Sequence, residues 1–238
     1  NSIEEILEYK NKIELEIFDI ENAEEINNKL KKEQNKRKEQ MIRYCEAMNR
    51  KRIEYAQILS NRINDELKDL EMNNASFRVD VEKMEVQNFN INGLDKVQFM
   101  ICTNKGEDEK ELSKIASGGE MSRVMLAIKT VLADTDKVLT LVFDEIDTGI
   151  SGKAANAVGE KLKKISKHHQ VMVVTHSASI AAKGNYNYFI GKKTVNNKTY
   201  TEIKQLTEEE TIKEIARIAS GEITDISIAH AKELRRAL

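Results

Sequence analysis

Val138-Leu139-Thr140-Leu141-Val142-Phe143-Asp144-Glu145 is the stretch on which the fold turns. From 138 to 143 the residues are apolar apart from Thr140, without the alternation of a half-buried strand, as expected for a strand covered on both faces. The run stops on two adjacent acids, and ligands of open α/β sheets gather at the carboxyl ends of strands. Downstream, Asp147-Thr148-Gly149 reads as a loop, 151–167 as a helix, and 171–175 as a second buried strand ending at His176. A short helix over 177–183 follows. Upstream, Ser117-Gly118-Gly119-Glu120 opens a helix that runs to residue 133, with Met121, Val124, Met125, Ile128 and Leu132 on one face. Such alternation of strand and helix predicts an α/β lobe, a largely parallel sheet with helices on its faces. An edge pair over 186–190 and 199–206, turning at Asn196-Asn197, and two amphipathic helices over 208–219 and 223–236 complete the expected lobe.

Composition divides the chain near residue 73. Before it the sequence is dense in charge, and Ile6, Ile13 and Ile20 recur every seven residues with Ile3 and Ile17 on the same stripe. Ala56, Leu59, Ile63, Leu67 and Leu70 continue in steps of three and four. So narrow a stripe predicts a coiled-coil arm over 1–72 leading into the lobe at 73–238, with the pattern weakening or breaking between 27 and 40, where Leu30 is the only apolar residue. A helix of this kind needs a partner, most simply an antiparallel helix from elsewhere in the same protein. After Asn73-Asn74, Phe77, Val79 and Val81 alternate, as do Val97, Phe99 and Ile101; these predict strands joined through a turn at Asn92-Gly93.

The 238 residues contain no proline and no tryptophan, 33% are charged, and the net charge is −2. Bulk charge therefore gives no case for nucleic acid, and any such contact must be local. Lys161, Lys163, Lys164 and Lys167 cluster on and after one helix; they read as a solvated face, with a nucleic-acid contact as the alternative. Cys45 and Cys102 match no metal-ligand spacing. With no signal peptide and no apolar run of transmembrane length, the expected location is the cytoplasm, away from membranes.

Three features carry chemistry. Ser117-Gly118-Gly119-Glu120 fits a capping box, but two glycines in a first turn each cost about 1 kcal/mol against alanine. What they leave is bare backbone amide at a positive helix end, which suits a phosphate. Asp144 can hold Mg²⁺ directly or through water, while Glu145 can orient or deprotonate a water. His176 should end a strand lying beside that of Asp144, which puts both at one sheet edge, with Asp147 in the loop after Glu145. No G-x-x-x-x-G-K-[ST] phosphate loop occurs; Gly149-Ile150-Ser151-Gly152-Lys153-Ala154 has the wrong glycine spacing and no hydroxyl after its lysine.

Taken in order, these motifs resemble the C-terminal half of an ABC-type ATPase head. Ser117 to Glu120 resembles the signature motif, Leu139 to Glu145 the Walker B strand with its catalytic glutamate, Ile146-Asp147 the D-loop and His176 the switch histidine. The helical arm is similar to that of the SMC-like branch, and the wording around 115–123, 143–152 and 170–182 looks like the RecN family of bacterial DNA-repair ATPases. The resemblance implies ATP and Mg²⁺ as cofactors, sandwiched between two heads. Ser117, Gly118, Gly119 and Glu120 would face nucleotide held by a second copy, Asp144 would support the metal, Glu145 and His176 would be catalytic, and Asp147 would link the two sites. It implies recombinational repair of double-strand breaks, a nucleoid-associated location, and three partners: an N-terminal half carrying the phosphate loop and the antiparallel arm helix, a second head, and DNA. On this expectation the chain alone is inactive, being one portion of a larger protein. The alternatives are another SMC-like or RecF-like ATPase, discriminated by arm length, and a non-catalytic scaffold that keeps an ATPase-like lobe.

Overall fold

A computed structural model describes residues 2–114, 118–195 and 198–236. The chain forms two compact units, Asn1–Tyr55 with Val81–Val97, and Ala56–Asp80 with Gln98–Leu238.

Helix α1 (Ile3–Asp69) is continuous through the segment where the apolar pattern weakens. The reason is local: this stretch contains neither glycine nor proline, and its Lys, Glu, Gln and Arg residues lose little side-chain freedom in a helix. Pairs one turn apart, Glu25–Lys29 at 2.6 Å and Glu33–Arg37 at 2.7 Å, add a few tenths of a kcal/mol each. In the first unit the stripe of Ile3, Ile6, Ile13, Ile17 and Ile20 is exposed throughout. Leu94 and Cys45 are buried in this unit, and a polar network lies beside them. Asp95, buried at the start of a strand, accepts from Arg52 at 2.8 Å and Asn49 at 2.7 Å, while Arg52 also donates to the Asn92 carbonyl at 2.8 Å. The expected turn is present, with Gly93 at φ 96° and an Asn90–Gly93 bridge.

The end of α1 belongs to the second unit. Glu71 adopts a left-handed φ of 59° and Met72 donates back to the Leu67 carbonyl at 2.9 Å, closing the helix. Strands β1 (Ser76–Lys83), β2 (Asp95–Cys102) and the two-residue β3 (Lys110–Glu111) form one sheet in that order, with β3 antiparallel to β2. The core gathers Ile63, Leu67 and Leu70 from α1, Phe77 and Ile101 from the sheet, Val124, Leu126 and Ile128 from α2 (Gly118–Leu132), and Leu141 and Phe143 from β4 (Thr140–Phe143). Val158, Leu162 and Ile165 of α3 (Gly152–Ile165) complete it. Lys161 of α3 is paired with Glu66 at 2.6 Å and Asp69 at 2.7 Å. It is therefore a helix-to-helix tie, not a member of a solvated basic face.

Among the described residues the parallel sheet is present as one pair, β4 beside β5 (Gln170–Val173), in the register Leu141–Val171, Val142–Met172 and Phe143–Val173. Helix α4 (Ala178–Lys183) follows β5, and β6 (Tyr188–Val195) pairs antiparallel with β7 (Lys198–Gln205) as a separate two-stranded sheet. The Asn196-Asn197 turn lies outside the described residues. Helices α5 (Glu208–Ser220) and α6 (Asp225–Arg236) pack with α4 around Ala182, Ile215, Ala216 and Ala231. One expectation is corrected here. β4 is covered on one face only: Leu141 and Phe143 are buried, whereas Val142 is 66% exposed and Met172, opposite it, 55% exposed. The continuous apolar run is real, but among the described residues nothing lies over its second face.

Candidate functional site

The carboxyl ends of β4 and β5, being parallel neighbours, deliver Asp144 and His176 to the same edge. Val174 donates to the Phe143 carbonyl at 2.9 Å, carrying the pairing one residue past the strands. Helix α2 starts against this edge. Gly119 is buried, and a Cβ there would sit 3.1 Å from the carbonyls of Glu145 and Thr148 and 3.1 Å from the Thr148 Cβ. A Cβ on Gly118 would meet the Glu145 carboxylate. The two glycines thus do more than bare their amides: they let a helix start close on the loop that follows β4.

That loop is held by side chains of α2. Ser122 Oγ donates to the Asp144 carbonyl at 2.8 Å, and Arg123 Nη1 donates to the carbonyls of Thr148 at 3.1 Å and Ile146 at 3.4 Å. Asp144 is exposed and its Oδ1 accepts the Glu145 amide at 2.9 Å. Glu145 sits at φ 55°, a left-handed conformation that costs a side-chain-bearing residue roughly 1–2 kcal/mol. It is kept there by the bond from the Thr148 amide to the Glu145 carbonyl at 3.1 Å and by the close approach of Gly119.

Asp147 is 5% exposed, and its Oδ2 accepts from Thr175 Oγ1 at 2.5 Å and from the His176 amide at 2.9 Å; the His176 ring Nδ1 lies 3.5 Å from the same oxygen. Its Oδ1 is buried without a partner among the described residues. Thr175 in turn accepts from the Ser177 amide at 3.0 Å. The imidazole itself is 78% exposed, so its ring faces solvent while its backbone is pinned. Gly118, Gly119, Asp144, Glu145, Asp147 and His176 therefore gather along one rim; Glu120 follows in the first turn of α2, and Ser117 lies outside the described residues.

Sequence reasoning assigned no role to Ser122, Arg123 and Thr175. A signal for Arg123 exists: Gly119, Arg123 and Ala127 recur every four residues and all three are buried, a second stripe beside the apolar one. Burial pulls the Arg123 guanidinium below its usual range, and the nearby Glu120 carboxylate partly opposes this.

Among the described residues no three His, Cys, Asp or Glu side chains cluster to hold a metal. An exposed single carboxylate at a strand end fits Mg²⁺ in another way, since that ion takes one or two carboxylates and fills its shell with phosphate oxygens and water. Among the described residues no helix is long and apolar enough to cross a membrane.

No family model matches the chain. Curated bacterial proteins do. The DNA repair protein RecN of Bacillus subtilis (strain 168) is 39% identical over 248 residues, covering 98% of this chain and 43% of its own length. RecN of Treponema pallidum (strain Nichols) is 37% identical over 241 residues, covering 99% and 42%, and that of Haemophilus influenzae is 35% identical over 232, covering 97% and 41%. Among solved structures, the Smc head domain with an extended coiled coil bound to the C-terminal domain of ScpA, from Pyrococcus furiosus, aligns over 91% of this chain and 53% of its own at 20% identity, with a TM-score of 0.48. A chain from work on ATP-driven dimerization and DNA-stimulated activation of SMC ATPases covers 74% of this one and 99% of itself at 18% identity, with a TM-score of 0.44. These sequence relatives are all bacterial DNA repair proteins. The chain corresponds to the C-terminal portion of the RecN family, and it spans less than half the length of the relatives it matches.

Proposed function

We propose that this chain is one half of a composite ATP-hydrolysing site in an SMC-like protein of recombinational double-strand-break repair. The observation that carries the reading is the convergence of a glycine-started helix, two acids and an imidazole at the ends of the parallel pair β4–β5. Gly118 and Gly119, with Ser117 before them, present amides at a positive helix end to the terminal phosphate of nucleotide held by a second head. Asp144 supports the metal from its exposed carboxylate, and Glu145, on the adjacent turn, orients the attacking water. His176 contacts the terminal phosphate of the nucleotide held on its own side, with its backbone fixed by Asp147. Bound ATP and Mg²⁺ supply the phosphoryl group and the neutralising charge; the chain supplies positioning and electrostatic complementarity, which dominate phosphoryl transfer.

The phosphate loop comes from an N-terminal half of the same protein, whose segments also cover the bare face of β4–β5 and the exposed stripe of α1. Two such heads close on ATP, and the arms couple closure to DNA. Mixing this chain with the separately produced N-terminal portion tests the reading: Mg²⁺-dependent ATP hydrolysis should appear in the mixture and be absent from either part alone. A mixture that associates but never turns over ATP favours the non-catalytic scaffold instead.

A further inference from the structure

We infer that Arg123 is a positioning residue that clamps the loop after β4 to helix α2, so that Glu145 and His176 follow the helix start as one body. The residue is 7% exposed in the middle of α2's second buried stripe. One of its nitrogens reaches two carbonyls of the loop, those of Ile146 and Thr148, which flank Asp147. Asp147 in turn holds the hydroxyl of Thr175 and the amide of His176. The path from α2 to His176 therefore consists of one guanidinium, one short stretch of backbone and one carboxylate. Ser122 anchors the other end of the loop at the Asp144 carbonyl, and Gly119 lets the helix approach it.

Packing is a poor reason for an arginine here. Arg123 carries a buried charge, and its Nε has no partner among the described residues. An unpaired buried donor is costly, and an apolar side chain of similar length would fill the space without that cost. What a methionine cannot do is donate to two carbonyls across a tight turn that holds Glu145 in a left-handed conformation. The role of the clamp in the loop stands on geometry alone; its catalytic consequence rests on the composite ATPase site proposed above.

Two measurements separate these levels. The first is amide hydrogen exchange on this chain with Arg123→Met and Arg123→Lys. In Arg123→Met the Thr148 and His176 amides should exchange about tenfold faster or more, as for the loss of roughly one net hydrogen bond, while α3 and β5 keep their protection. Arg123→Lys, which retains a donor, should recover most of the protection. Unchanged exchange at those two amides overturns the inference, and so does loss of protection across the whole unit with no rescue by lysine. The second is ATP turnover after Arg123→Met in the chain combined with its N-terminal portion. A fall in kcat with little change in KM is expected, because the nucleotide is held chiefly by the other half. Absence of turnover in the parent mixture counts against the composite-site reading while leaving the exchange result to decide on the clamp.

Discussion

The rim of the β4–β5 pair and the open face of the same two strands are a few residues apart and differ in kind. On the rim, backbone carbonyls of residues 144, 145, 146 and 148 each meet a donor or a close glycine, and the one conformational penalty, at Glu145, is held in place by its neighbours. On the open face, Val142 and Met172 stand side by side in water. Parallel pairs are normally covered on both sides, because their residues are apolar on both. A rim whose backbone is largely satisfied beside a bare apolar face fits the composite site proposed above. The helix α1 repeats the contrast: Ile63 and Leu67 are buried in the core of the second unit, while Ile6 and Ile13, of the same sequence character, are exposed in the first.

Substitutions on the two faces should differ most. Phe143→Ala removes a buried ring and is expected to cost about 3–5 kcal/mol in urea unfolding, whereas Val142→Ser on the open face should stay within about 0.5 kcal/mol. A large loss for Val142→Ser would mean that the face is covered within this chain after all. Along α1, Leu67→Ala should cost about 2–5 kcal/mol and Ile13→Ala almost nothing by the same measurement. When the N-terminal portion is present, the proposed cover of both surfaces predicts that Val142→Ser and Ile13→Ala become destabilising. On the rim, Glu145→Gly removes a left-handed penalty of roughly 1 kcal/mol, partly offset by the greater freedom of glycine in the unfolded chain. Its thermal midpoint should therefore not fall, and a clear drop would show that the Glu145 side chain contributes to the fold.

The smallest effect is electrostatic and lies far from both faces. Glu210, in the capping box of α5, is held down to about 2 by Lys204 and by the Thr207 amide, against an ordinary value of 4.5. Because the folded value is the depressed one, its contribution to stability is present above about 4.5 and is lost as pH falls through about 2. Glu210→Gln should therefore lower the thermal midpoint slightly at neutral pH, and the difference from the parent should shrink to nothing as pH falls through that window.

Much of this was legible in residues alone. Asp144-Glu145 at a strand end, His176 at the end of the next strand and the glycines opening α2 were placed by period and spacing, because those features are local. The hidden part was non-local. Nothing in the run of residues 138–143 says that one face would be left bare, since burial depends on what packs there and not on apolarity. The two-residue strand β3 is too short to show a period, and it exists only through its pairing with β2. Arg123 and Thr175 act through backbone carbonyls and a neighbouring carboxylate, partners that no spacing announces. The lysine at 161 looked like part of a solvated cluster because its partners, Glu66 and Asp69, lie more than ninety residues away in the chain.

The central claim is that the rim residues act on nucleotide shared between two heads, and the most direct measurement is sedimentation of the combined halves carrying Glu145→Gln, with and without ATP and Mg²⁺. The account predicts that this variant binds ATP, hydrolyses it too slowly to follow, and accumulates as a nucleotide-dependent pair of heads. A variant that turns over ATP as fast as the parent, or stays unpaired with nucleotide bound, would contradict it.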